Sequence, residues 1–140
     1  MRRAAEAPAE KRAAAVARQA EKFVRFWHKS GHIHFREEEE VLLPAYAWHT
    51  RLDRDAEVVR VLADHAEIRA AVLDFEQRLA AKTPIEAGEV ARIGKLLHDH
   101  VRLEENEVFP RIERALGEEK LNSMGRRLTR LHSKNDVCEI

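Results

Sequence analysis

The sequence predicts an all-α protein, an antiparallel helical bundle. Three observations lead there. Apolar residues recur at steps of three, four and seven, the spacing of one helix face. No stretch alternates apolar and polar residues as a half-buried strand would. The 140 residues include only 5 Gly and 4 Pro, too few chain-breakers for a loop-rich or many-stranded fold.

The first helix is expected from about Glu10 to Trp48, with Phe23, Trp27, His34, Glu38, Leu42 and Ala45 inward. Ser30-Gly31 is its weak point, and Pro44 is placed to kink its last turn. The second covers about Asp53 to Ala81, with Asp53 as N-cap and Val58, Val61, Leu62, His65, Ile68, Val72, Leu73 and Leu79 inward. Thr83-Pro84 opens the third. It runs to about Leu116 with Ile93, Leu96, Leu97, His100, Glu104, Val108 and Ile112 inward, and Gly117 ends it. A shorter amphipathic segment follows over 118–132, with Leu121, Met124, Leu128 and Leu131 on one face. The chain reads as one domain over 1–140, with core helices over 10–116 and flexible ends at 1–9 and 133–140.

Charged residues make up 36% of the chain and hydrophobic ones 44%, and the formal net charge is zero. A nucleic-acid or anionic-membrane partner therefore has no electrostatic footprint. No run of 18 apolar residues offers a membrane span. The single Cys138 excludes an internal disulfide framework and suits a reducing cytoplasm. The Ala/Arg-rich start resembles a transit peptide in composition, but Glu6, Glu10 and Glu21 argue against one.

An eleven-residue pattern occurs twice, identical at five positions. His34-Phe-Arg-Glu-Glu38-Glu39-Glu-Val-Leu-Leu-Pro44 is echoed 66 positions later by His100-Val-Arg-Leu-Glu104-Glu105-Asn-Glu-Val-Phe-Pro110. In each copy the His and the first Glu are four apart, neighbours on a helix with Cβ atoms about 5–6 Å apart. Both lie on the apolar stripe and should point inward. A buried carboxylate costs several kcal/mol unless something cationic faces it. A metal held by imidazole and carboxylate is one solution, and His65 adds a third inward imidazole. The candidate ligands are thus His34, Glu38, His65, His100 and Glu104, and bundle cores build carboxylate-rich metal sites from such parts. The plainer alternative pairs Glu38 and Glu104 with a core arginine such as Arg69. Glu39 and Glu105, about 100° away from their neighbours, are additional ligands, acceptors that hydrogen-bond the ligands from outside, or solvated flank residues. Glu37 and Glu40 read as a solvated face and His98 as a surface residue. His28 and His32 would become ligands only if a break at Gly31 re-aimed them. His49 and His132 sit near segment ends and carry no ligand signal. Phe23, Phe26 and Trp27 read as core. There is no Gly-rich phosphate loop, no Cys pair for a zinc knuckle and no nucleophilic triad.

The stretches "FVRFWHKSGHIHFREEEEVLLPAY", "VLADHAEIRAAV" and "LLHDHVRLEENEVFPRIE" resemble the hemerythrin-like, or HHE cation-binding, domains over about residues 20–116. The resemblance implies a four-helix bundle with a non-haem di-iron centre. By it His34 and His100 look like helix-borne iron ligands, Glu38 and Glu104 like bridging carboxylates, and His65 like the third-helix ligand. Iron, two ions per complete site, is the cofactor implied, and a small diatomic ligand such as dioxygen the partner. The function expected is binding or sensing of dioxygen or related oxidants. A helical interaction module is the alternative, and a di-iron oxidoreductase or nitrosative-stress repair protein the third reading. The chain departs from the family in one respect. His65 precedes His100 by 35 residues, and the same spacing applied to His34 falls before Met1. The expectation is a bundle without the usual first helix and its His, and with an apolar groove that a second copy could fill as a homodimer.

Overall fold

The computed structural model describes residues 8–123 and 125. The ends expected to be flexible, apart from Pro8 and Ala9, and most of the expected 118–132 segment lie outside these residues. Helix α1 spans 9–46, α2 is Ala56–Ala81, α3 spans 87–115, and α4 begins at residue 118. No strand is present among the described residues.

Helix α1 is one rod with two widened turns. Trp27–Gly31 and Glu38–Leu42 are π-helical, and α-helix resumes after each. The first coincides with the weak point at Ser30-Gly31. Gly31 is buried there because a Cβ would lie 3.1 Å from the Trp27 ring and 3.2 Å from that of Phe26. The second precedes Pro44, whose ring has no N–H to give to residue 40 and crowds that carbonyl. The helix absorbs this by widening instead of breaking. In α3 the same device recurs: Glu104–Val108 is π-helical and Pro110 follows it. The two π turns begin at Glu38 and Glu104, 66 residues apart, so the sequence repeat is also a repeat of backbone geometry.

The caps correct two expectations. Asp55, not Asp53, caps α2, accepting from the N–H groups of Glu57 and Val58 at 3.2 Å each; Asp53 lies in a 3-10 turn, Leu52–Arg54. Arg111 of α3 donates to both Asp55 oxygens at 2.8 and 2.9 Å, tying the cap to the third helix. Lys82 ends α2 in the left-handed region at φ 56°. Thr83-Pro84 does not open α3. The capping box formed by Glu86 and Glu89 does, because it satisfies two of the first turn's free N–H groups. Leu116 turns extended and closes α3.

Short connections make neighbouring helices antiparallel. At one end of the bundle Ala20 of α1, Phe75 of α2 and Ile93 of α3 pack together; at the other, Val41, Tyr46, Val58, Val61, Val108 and Ile112 do. Between them Trp27, Phe35, Ile68 and Val72 form the middle layer. Leu121 of α4 packs on the second cluster. Three residues expected in the core are exposed: Phe26 at 41%, Leu62 at 38% and Leu73 at 57%. On α2 the buried stripe runs through Val58, Val61, Asp64, His65, Ile68, Val72 and Phe75, so Leu62 and Leu73 lie on the flank of the 3.6-residue period. Among the described residues no helix is long and apolar enough to cross a membrane.

Candidate metal centre

The middle of the bundle buries charge-bearing groups. His65 and His100 are each 1% exposed, Glu38 7% and Glu104 6%. Their helices deliver them from three directions: Glu38 from the second π turn of α1, His65 from the middle of α2, His100 and Glu104 from the junction where α3 widens. One ligand-capable atom from each lies within 4.8 Å of the other three.

The four groups crowd each other without satisfying each other. His65 Nε2 is 2.8 Å from a Glu38 oxygen, and His100 Nε2 is 2.9 Å from a Glu104 oxygen. Yet both Nε2 atoms and one oxygen of each carboxylate lack a hydrogen bond of sound geometry. Close in distance but out of line in angle, they converge on a common point. Leaving a buried polar atom unsatisfied costs about 1–3 kcal/mol each. Four such atoms in one place fit one shared cationic partner: two imidazole nitrogens with two carboxylates are the donor set of a divalent or trivalent cation.

The outer faces of both imidazoles are held. Glu39 Oε2 lies 2.6 Å from His65 Nδ1 and accepts from Arg69 at 2.7 Å. Burial pushes the Glu39 carboxyl up, but Arg69 and His65 outweigh it and hold it below the usual range. An ionised carboxylate only accepts, so His65 carries its proton on Nδ1 and turns the Nε2 lone pair inward. Asp64, 3% exposed, sits 3.2 Å from His100 Nδ1 and 3.5 Å from Arg60 Nε, and it orients the second imidazole in the same way. Metal-binding histidines are typically fixed by such outer carboxylates. The sequence reading missed Asp64, although its place on the buried α2 stripe, three residues after Val61 and four before Ile68, was a usable signal.

The two inner carboxylates differ in character. Burial, and then the neighbouring Glu104 carboxylate, push Glu38 far above the usual range. Burial also raises Glu104, but the His100 imidazole and Glu38 beside it bring the net shift downward. Burial lowers His65, only partly offset by Glu39. Burial lowers His100 too, but Glu104 and Asp64 reverse the sign. Without a cation, the pair of carboxylates therefore shares a proton instead of carrying two charges.

Of the five residues expected as ligands, the fold brings together Glu38, His65, His100 and Glu104. His34 is not among them. Its side chain is 60% exposed and lies 3.6 Å from Glu37. Phe35, one residue on, takes the inward place and stacks on His65 with ring centroids 3.7 Å apart. The alternative pairing of Glu38 with Arg69 does not form, since Arg69 goes to Glu39 and lies over Trp27 and Phe35. Glu105 is exposed and lines a groove instead. His28 is exposed and pairs with Glu76, and His98 is at the surface.

That groove, about 550 Å³, runs along the α1–α3 face and reaches the cluster. Phe35, Leu97, Val101 and Phe109 give it an apolar wall, and His34, Glu37 and Glu105 line it as well.

No curated protein and no solved structure matches the chain. A family model does, over residues 1–112: hemerythrin, the hemerythrin HHE cation binding domain. That span holds the whole cluster and all but the last three residues of the helices that build it, and the chain belongs to the hemerythrin HHE cation binding domain family.

Proposed function

We propose that this protein holds a non-haem iron centre at Glu38, His65, His100 and Glu104 and uses it to bind or sense dioxygen or a related small oxidant. The observation that carries this reading is the convergence of four buried polar atoms that have no hydrogen-bond partner. The donor set supports iron: it mixes imidazole with carboxylate and includes no thiolate, which would favour softer ions. Iron in such a set supplies redox change and open positions for a small exogenous ligand.

The residues of the chain contribute the rest. Glu39 and Asp64 hold the two imidazoles in the ligating tautomer. Glu38 and Glu104 each place a carboxylate oxygen within 4.8 Å of the two imidazole nitrogens, a set able to serve one ion or two. Phe35, Leu97 and Phe109 keep the approach from the groove apolar, which favours a small uncharged molecule over water or a charged one.

Metal content per chain after anaerobic reconstitution with ferrous iron, followed by visible absorption on admitting oxygen, tests the reading. The expected result is one or two irons per chain, an oxygen-dependent charge-transfer band, and loss of both in His100→Ala. A wild-type chain that retains no iron overturns it.

A further inference from the structure

We propose that Arg69 is a positioning residue of the metal centre: from outside the cluster, its guanidinium fixes which nitrogen of His65 is turned to the metal. The proposal rests on the metal-centre reading for the effect on metal binding, but not for the effect on the His65 imidazole.

Both nitrogens of His65 face a carboxylate, and the two acids are neighbours in sequence. A Glu38 oxygen lies 2.8 Å from Nε2, and a Glu39 oxygen lies 2.6 Å from Nδ1. Both acids leave α1 at the start of its second π turn. A neutral imidazole has one proton and one lone pair, and either carboxylate is able to accept that proton. With the proton on Nε2, the lone pair that a metal needs would point outward at Glu39. The ring therefore needs a reason to choose.

Arg69 supplies it. It follows His65 by four residues on α2, so the two side chains are neighbours on one helix face. Its Nη1 donates at 2.7 Å to Glu39 Oε2, the same oxygen that meets His65 Nδ1. That charge-assisted bond holds the oxygen where it accepts from Nδ1–H, and it goes to Glu39 and not to Glu38. The guanidinium is itself held. Its carbon lies 5.6 Å from the centre of the Trp27 ring and 5.5 Å from that of Phe35, within reach of a cation–π attraction. Phe35 in turn stacks on His65. One guanidinium thus touches both the edge partner and the face partner of one imidazole, without touching the imidazole or the cluster.

His100 is backed differently. Its carboxylate, Asp64, is 3% exposed and lies 3.5 Å from Arg60 Nε, and the Arg60 side chain is 62% exposed. Asp64 is held by burial, whereas Glu39, with a side chain 28% exposed, depends on its arginine.

The test uses the full chain with isotope-labelled histidine. In metal-free protein, long-range proton–nitrogen spectra report which ring nitrogen of each histidine carries the proton. Wild type should show His65 protonated on Nδ1, and Arg69→Leu a mixture of both tautomers. Arg69→Lys keeps the charge without the planar fork and should return most of the Nδ1 form. With cobalt(II) as the probe ion, Arg69→Leu should weaken binding about tenfold, the low end for loss of an outer partner, and Arg69→Lys less. If Arg69 acts through Glu39, the double variant Glu39→Gln/Arg69→Leu binds cobalt no more weakly than Glu39→Gln alone. Arg92→Ala, which breaks an exposed pair with Glu67, is the control and should change neither reading. Should Arg69→Leu fail to fold, Arg69→Gln, which keeps a donor but no charge, takes its place with the same expected outcomes. Lower stability with an unchanged His65 tautomer makes Arg69 a structural contact and overturns the proposal. So does wild-type cobalt affinity in a variant whose tautomer is mixed. Additive losses in the double variant overturn the route through Glu39. A wild-type chain that binds no cobalt refutes the metal centre itself, while the tautomer of His65 still decides whether Arg69 sets it.

Discussion

The ring of Phe35 lies 3.7 Å from that of His65, tilted by only 11°. Trp27 meets Phe35 edge-on at 5.0 Å, and His100 lies 5.6 Å away on the same ring. One phenyl group thus forms a wall of the buried His/Glu cluster and joins it to the aromatic layer above. With Glu39 on Nδ1 and Phe35 on its face, the His65 imidazole has no freedom to turn.

Phe35→Ala should therefore act on stability and on the site together. Truncating a buried Phe costs about 3–5 kcal/mol, a large part of the 5–15 kcal/mol that typically holds a domain together. Chemical denaturation of the metal-free protein should show this loss. Phe35→Leu should recover most of the stability, while metal affinity stays reduced because the flat face against His65 is gone.

This contact also shows what could be read from the sequence. The 3.6-residue period gave the helices, and the 66-residue repeat gave Glu38, His100 and Glu104. The α2 stripe gave His65. The repeat does not hold for His34, because burial depends on the partner helices and not on the motif. His100 faces α2 and the Asp64 carboxylate, whereas His34 faces the open groove, so the same letters point into different surroundings. The π turns were legible only as a proline and a glycine out of place. The widening that aims Glu38 and Glu104 is a compromise between a missing N–H and continued stacking, which residue spacing does not record. Asp55 and Glu86 were missed as caps because several acidic residues near each helix start suit the role, and only tertiary contacts such as Arg111 to Asp55 choose among them.

Asp64→Ala removes the acceptor on His100 Nδ1 without touching a ligand atom. Loss of such an outer partner typically lowers metal affinity by about 10–100-fold. Competition against a chromophoric chelator should show a drop in that range. The number of ions bound at saturation should stay the same, and proton NMR of the metal-free protein should show a mixed His100 tautomer.

Asp55→Ala separates the scaffold from the site. It removes the α2 cap and the hydrogen bonds from Arg111 Nη1 at once. An N-cap alone is worth about 1 kcal/mol, and the partly buried pair adds to it. Denaturant unfolding should show a loss of roughly 1–2 kcal/mol. Metal affinity of the folded variant should remain near that of the wild type, since Asp55 lies at the start of α2 and outside the cluster.

Metal uptake should release protons, and the sign follows from Glu38. Its carboxyl is raised well above the usual range in the metal-free protein, by burial first and by Glu104 second. It is thus protonated at neutral pH, whereas a ligating carboxylate must be ionised. Affinity should rise with pH across the neutral range, and calorimetry in buffers of different ionisation enthalpy should count the proton released. Stability moves the other way. A group whose folded pKa lies above its unfolded value of 4.5 gives its full stabilisation below that value and loses it as pH rises towards the folded pKa. Glu38→Gln is neutral in both states and escapes this loss. The metal-free variant should therefore be more stable than wild type at pH 7–8, with the gap narrowing as pH falls towards 4.5, while its metal affinity collapses. A variant less stable than wild type at every pH would mean that Glu38 is already ionised in the metal-free core, and that a second cation-like partner balances it there.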